Sequence, residues 1–139
     1  MPKIVGGCQC GAVRYEINAD PIFAGHCQCT DCRKATGAGH ITVAAFPEGA
    51  VKFAGKSKSY GSKSDTGANV TRDFCSECGG RTSSRASSMP GLIMVTAGSM
   101  DDPSLVSPGM ALYNKRHVAW DYLNSAIPTF DGMPLPAGK

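Results

Sequence analysis

The segment Cys75-Ser76-Glu77-Cys78-Gly79-Gly80-Arg81-Thr82-Ser83-Ser84 decides how the chain is read. A Cys-x-x-Cys turn has two common uses. As a redox dithiol it sits at a helix N-terminus after a strand, in a βαβ setting. As half of a metal site it is followed by glycine, which lets backbone amides turn towards the two thiolates. Here two glycines follow, then a polar run with no helical pattern. The segment therefore reads as a metal-binding turn between two strands, not as a redox centre.

Working outward, the other five of the seven cysteines fall in Cys8-Gln9-Cys10-Gly11 and Cys27-Gln28-Cys29-Thr30-Asp31-Cys32. An odd number of cysteines in a reducing compartment is poor material for disulfides. Cys8 and Cys10 resemble Cys75 and Cys78 in their trailing glycine, and the four make a tetrahedral four-thiolate site. Such a site closes a long loop and restricts the unfolded chain, so it reads as structural. Cys27, Cys29 and Cys32 remain. Three sulfurs hold one face of an ion and leave a fourth position for water, a substrate or a distant ligand. His26, His40, His117 and carboxylates all stay open as that ligand. His26 is an awkward one, because neighbours on a strand point to opposite faces.

The chain around these motifs is one of short strands. Its 139 residues suit a single domain that buries a real core. Charged residues are only 18%, against 17 glycines and nine prolines, which favours strands and tight turns over long helices. Strands are expected at 12–17, 22–27, 41–46, 51–53, 57–60, 69–74, 81–85 and 92–97, with weaker candidates at 110–113 and 119–123. One short helix is expected at 30–36, capped by Thr30 or Asp31 and stopped by Gly37. Asp101-Asp102-Pro103 reads as a turn. Residues 1–125 form the domain and 126–139 a tail packed on it or extending from it.

A net charge of +3 without a basic run argues against nucleic acid. The start, Met1-Pro2-Lys3-Ile4-Val5-Gly6-Gly7, has no apolar core of signal-peptide length, and Leu92-Ile93-Met94-Val95 is too short to span a bilayer. A soluble cytoplasmic protein, free of membranes, is the expectation.

Charge counting narrows the chemistry of the three-cysteine site. A zinc ion with three thiolates carries one net negative charge and is a weaker Lewis acid than a three-histidine zinc, whose bound water has a pKa near ~7. Such a site suits holding a further thiol as thiolate better than generating hydroxide. A thiolate held so can attack or release an electrophilic carbon. A small thiol such as glutathione carries carboxylates that basic side chains would orient. Arg33 and Lys34 follow Cys32 directly; Arg72 and the pair Lys115-Arg116 are further candidates.

These motifs resemble the glutathione-dependent formaldehyde-activating enzymes, a family that shares its domain with centromere-protein-V-type proteins. The likeness is carried by Gly7 to Glu16, Cys27 to Lys34 and Phe74 to Gly79, with Ala97 to Pro103 and Trp120 after them. It implies a mainly β, tent-like fold related to zinc ribbons, and two zinc ions. The structural zinc carries onto Cys8, Cys10, Cys75 and Cys78, and the catalytic zinc onto Cys27, Cys29 and Cys32. The implied activity is that of a carbon–sulfur lyase, adding glutathione to formaldehyde to give S-hydroxymethylglutathione. The run Gly80-Arg81-Thr82-Ser83-Ser84-Arg85 is more polar than that pattern and suggests an altered pocket wall. The alternative reading is a zinc-stabilised protein-binding module without catalysis.

Overall fold

The run Arg14-Tyr15-Glu16-Ile17 alternates between solvent and core, and this strand organises the smaller of two sheets. The computed structural model describes residues 3–134. The small sheet is antiparallel and three-stranded, with β1 (Ile4–Gly7) at one edge, β2 (Arg14–Ile17) in the centre and β5 (Val51–Ala54) at the other edge. The large sheet has seven strands. They are β3 (Phe23–Cys27), β4 (Ile41–Pro47), β6 (Ser57–Lys63), β7 (Asn69–Cys75), β8 (Arg81–Ala86), β9 (Leu92–Thr96) and β10 (Ala111–Leu112). Their spatial order is β10-β3-β4-β9-β8-β7-β6, antiparallel throughout except where β10 runs parallel to β3. A single α-helix, α1 (Thr30–Thr36), joins β3 to β4.

The core forms where the two sheets face each other. Ile4, Tyr15 and Ile17 of the small sheet pack with Ala44, Phe46, Ile93 and Val95 of the large one. Burying such side chains stabilises by about 1.5–3 kcal/mol each, as an upper estimate. The close approach of β1 requires glycine at Gly6: a Cβ there would lie 2.4 Å from the Tyr15 hydroxyl oxygen and 2.5 Å from the Ser99 carbonyl oxygen. The Tyr15 hydroxyl and Ser99 Oγ are hydrogen-bonded at 2.6 Å. The outer strand β6 is exposed almost throughout and carries Lys58 and Lys63, a composition that discourages pairing with another chain.

The mainly β fold with one short helix is as expected. The helix spans the expected residues and stops at Gly37, which takes φ 73 and returns its N–H to the Arg33 carbonyl at 2.7 Å. Its cap differs from expectation. Cys29, not Thr30 or Asp31, is the N-cap, and its sulfur accepts from Cys32 N–H at 3.3 Å. Sulfur accepts here in the way a serine oxygen does, so one of the seven cysteines also starts the helix. The expected strand at 119–123 is absent. Ala119 and Trp120 form a turn closed by Asp121 N–H to the Val118 carbonyl at 3.1 Å, and Asp121 is held by His40 rather than by a neighbouring strand. Within the tail, Thr129 pairs with Ala111 beside β10; residues 135–139 lie outside the described part.

Candidate metal centres

The first cysteine group sits where the small sheet meets the β7–β8 connection. After β1, Cys8 to Gly11 form a tight turn, closed by Gly11 N–H to the Cys8 carbonyl at 3.2 Å. The Cys8 sulfur accepts from Val13 N–H at 3.2 Å. After β7, Cys75 Sγ accepts from Glu77 N–H at 3.3 Å and from Cys78 N–H at 3.5 Å, and Cys78 Sγ accepts from Gly80 N–H at 3.4 Å. Gly79 takes φ 75, the left-handed conformation this turn needs. These N–H donors stabilise negative sulfur, as metal-binding turns require.

The sulfurs of Cys8, Cys10, Cys75 and Cys78 all lie within 4.8 Å of one another. Cys8 to Cys10 and Cys10 to Cys75 are both 3.7 Å. Four ligands at about 2.3 Å from a tetrahedral zinc stand about 3.8 Å apart, so the spacing matches a metal site. It is far too long for a disulfide, which needs about 2.05 Å. Within the cluster the thiols shift in opposite directions, Cys10 upward and Cys8 and Cys78 downward. Burial raises the Cys8 thiol, but the Val13 N–H and its cysteine neighbours outweigh it and bring it down to about 6. Cys78 is lowered by the backbone amides of Cys10 and Gly80.

The second group is held by α1 and the end of β3. Cys27, Cys29 and Cys32 also have sulfurs within 4.8 Å of one another. Hydrogen bonds from Cys27 and Cys32 push the Cys29 thiol far down, with the positive field of Arg72 adding to them. Cys27 is pushed up by the same sharing with Cys29 and Cys32, and by burial. At Cys32 the bond with Cys27 lowers the pKa, but Cys29 and burial outweigh it, and the net shift is upward. Three clustered sulfurs are a soft donor set suited to a thiophilic cation.

No histidine or carboxylate joins these three sulfurs among the described residues. The histidines are otherwise engaged. His26 Nδ1 meets Thr42 Oγ1 at 2.8 Å, and its ring lies edge-on to His40, centroids 4.8 Å apart. His40 Nδ1 meets Asp121 Oδ2 at 2.7 Å. His117 Nδ1 meets Gln28 Oε1 at 3.1 Å. Gln28, fully buried between Cys27 and Cys29, also donates backbone and side-chain N–H to the Leu112 carbonyl, at 3.0 and 3.3 Å. The segment carrying the three cysteines is therefore pinned to β10.

The basic candidates are spread differently from their order in the sequence. Arg33 turns back along its own helix, Nη2 donating to Thr30 Oγ1 at 3.5 Å. Arg72 acts electrostatically on Cys29 and Cys32 from β7. Lys115 is 3.9 Å from Asp65 and lies over the Tyr113 ring. Tyr113 and Asp65 carried no signal in the sequence, and Arg81 only as part of the polar run after Cys78, yet all belong to the surroundings of this site. Tyr113 follows β10, is buried, takes φ 58 and donates its hydroxyl to Asp65 Oδ1 at 2.5 Å. Burial raises its pKa, with the Asp65 hydrogen bond and then the Cys27 and Cys29 sulfurs adding to it. The polar run after Cys78 has a structural use: Ser83 Oγ and Arg85 Nη1 both donate to the buried Asp73, at 3.0 and 2.7 Å. A shallow cavity of about 700 Å³ lies apart from the three sulfurs, lined by Cys8, Thr36, His40, Arg81 and Ser99 among others.

Among the described residues no helix is long and apolar enough to cross a membrane. No curated protein matches the chain. A solved crystal structure of a Rhodobacter sphaeroides protein has the same fold, with a TM-score of 0.59 at 20% identity, over 90% of this chain and 98% of that one. The family model described as "Glutathione-dependent formaldehyde-activating enzyme" matches residues 3–116, which include all seven cysteines and both turns. The chain belongs to the glutathione-dependent formaldehyde-activating enzyme family.

Proposed function

We propose that the chain is a zinc-dependent carbon–sulfur lyase that joins a small thiol such as glutathione to an aldehyde such as formaldehyde, or releases them. The observation that carries this reading is the contrast between the two cysteine groups. One offers four sulfurs and closes on itself; the other offers three, with no further protein ligand beside them among the described residues. In this reading Cys8, Cys10, Cys75 and Cys78 are structural, and Cys27, Cys29 and Cys32 form the catalytic site. A zinc ion bound there supplies a soft Lewis acid that keeps a thiol ionised near neutral pH.

The chain's own contribution is placement. Cys29 starts the helix, Cys32 lies in its first turn, and Gln28 locks the loop, so the three sulfurs are fixed before substrate arrives. In the forward direction the thiol sulfur bonds to the aldehyde carbon, the carbonyl π bond opens, and the proton lost by the thiol ends on the new hydroxyl. Arg33, beside Cys32, remains a candidate for a substrate carboxylate.

A second reading, a zinc-stabilised binding module, draws on the exposed aromatic pair Trp120 and Tyr122, at 67% and 88% exposure. Zinc X-ray absorption on the purified protein separates the two. The lyase reading expects mean sulfur coordination to rise from about 3.5 to about 4 on adding glutathione. Unchanged, fully coordinated zinc would overturn it and favour the binding module.

A further inference from the structure

The seven-stranded sheet begins at β10 and ends at β6, yet its two ends are tied to each other. Tyr113, the residue after β10, donates its hydroxyl to Asp65 Oδ1 at 2.5 Å. Asp65 lies in the turn that joins β6 to β7, at the far side of the sheet. Lys115 adds to the hold, its Nζ 3.9 Å from Asp65 Oδ2 and 5.8 Å from the centre of the Tyr113 ring. An exposed pair at that distance contributes little, so the tyrosine hydroxyl is the main fastening.

The two sides of this contact are built differently. On the β10 side the chain is fixed. Leu112 pairs with Cys27, its carbonyl accepts from Gln28, and Asn114 N–H donates to the Phe130 carbonyl at 2.8 Å. Tyr113 lies between them, 5% exposed. Its φ of 58 is the only positive one among the described residues other than glycine. A left-handed backbone is costly for an aromatic residue unless its surroundings over-determine it. On the other side the turn at 64–68 is self-contained. Ser64 N–H donates to the Ala68 carbonyl at 2.8 Å, Gly67 N–H to the Ser64 carbonyl at 3.0 Å, and Ser64 Oγ meets Thr66 Oγ1 at 2.8 Å. Among the described residues, every hydrogen bond or ion pair from 64–68 to a residue outside the hairpin is made by Asp65. The edge strand β6 beside it is exposed almost throughout. A segment with few buried contacts and one fastening opens locally at low cost.

We propose that the β6–β7 hairpin is a strap that closes beside the three-cysteine segment and limits the size of what reaches it, with the Tyr113–Asp65 hydrogen bond as its catch. The catch lies one residue beyond the Leu112–Cys27 pair, so the hairpin tip stands at the approach to the sulfurs. Fastened, the strap admits a small molecule; released, it admits a bulky one. The proposal rests on the lyase reading of Cys27, Cys29 and Cys32 as an accessible centre, and adds a control on the size of its substrate.

The test uses the zinc-loaded full chain as wild type, Tyr113→Phe and Asp65→Ala. Each is alkylated with iodoacetamide, which is small, and with fluorescein maleimide, which is bulky. Peptide masses give the rate at Cys27, Cys29 and Cys32 separately from the rate at Cys75 and Cys78. Both variants are expected to react with the maleimide about tenfold faster at the three cysteines, as befits the loss of one hydrogen bond to a carboxylate. Their iodoacetamide rates, and the maleimide rate at Cys75 and Cys78, should stay within about twofold of wild type, because only a local opening has changed. An unchanged maleimide rate at the three cysteines in either variant overturns the strap and leaves the lyase reading standing. An equal rise for both reagents also overturns it, since general loosening does not sort molecules by size. If iodoacetamide fails to reach the three cysteines in all three proteins, the centre is closed, and the strap and the lyase reading fall together.

Discussion

Between Cys27 and Cys29 the chain buries an amide, Gln28, that no solvent reaches. Its side chain bridges the Leu112 carbonyl and His117, so its removal leaves the His117 imidazole without this partner and the Leu112 carbonyl with the backbone N–H alone. Gln28→Ala is therefore expected to cost about 1–3 kcal/mol in urea unfolding. It should also lower metal occupancy at the three-cysteine group while the four-cysteine group stays filled. Full occupancy at both, measured by metal analysis, would show that the bridge does not position the ligands. At this scale the sequence was clear about the cysteines, because their spacing is local and their chemistry has few other uses. It was unclear about their surroundings. Arg33 stood out by adjacency to Cys32, whereas Arg81 is brought to helix α1 by sheet pairing, a contact that spacing along the chain does not encode.

Helix α1 shows how an element and a site share residues. It has only seven residues, too short to persist alone in water, so its ends matter. Gly37 fixed the C-terminus legibly, since a left-handed residue ends a helix and glycine adopts it freely. The N-terminus was not legible: the sequence offered Thr30 and Asp31, both good caps, and the structure uses a cysteine sulfur. Serine caps helices well, so Cys29→Ser is expected to keep the helix and the fold while losing one metal and all turnover. Circular dichroism and metal content read this directly, and an unfolded variant would remove the catalytic role assigned to the site. The mistaken strand at 119–123 has a related cause. Its apolar residues suit a strand, but Trp120 and Tyr122 find no sheet edge, and Asp121 is committed to His40.

For the whole molecule the four-cysteine group is the join between the two sheets. Cys8 and Cys10 lie at the end of the small sheet, and Cys75 and Cys78 at the β7–β8 turn of the large one. Cys78→Ser should lower the melting temperature sharply and make the remainder sensitive to chelators, because a structural zinc contributes folding free energy directly. A variant as stable as the wild type would contradict the structural assignment. The mainly β architecture was readable from alternation and turn residues, as at Tyr15 and Ile17. The division into two sheets was not, because the sequence does not show that β5 returns to β2 instead of continuing alongside β4.

The two cysteine groups also differ in how far apart their members lie along the chain, and this bears on biosynthesis. Cys27, Cys29 and Cys32 leave the ribosome almost together, whereas Cys10 waits for Cys75, 65 residues later. During translation the local trio is complete first and is the earlier of the two able to capture an ion. Chains stalled before Cys75 should accordingly carry at most one tightly held metal, and the second should load only once Cys78 has emerged. The order in which the two groups are completed is thus written into the chain, with the three-sulfur group assembled ahead of the four-sulfur one.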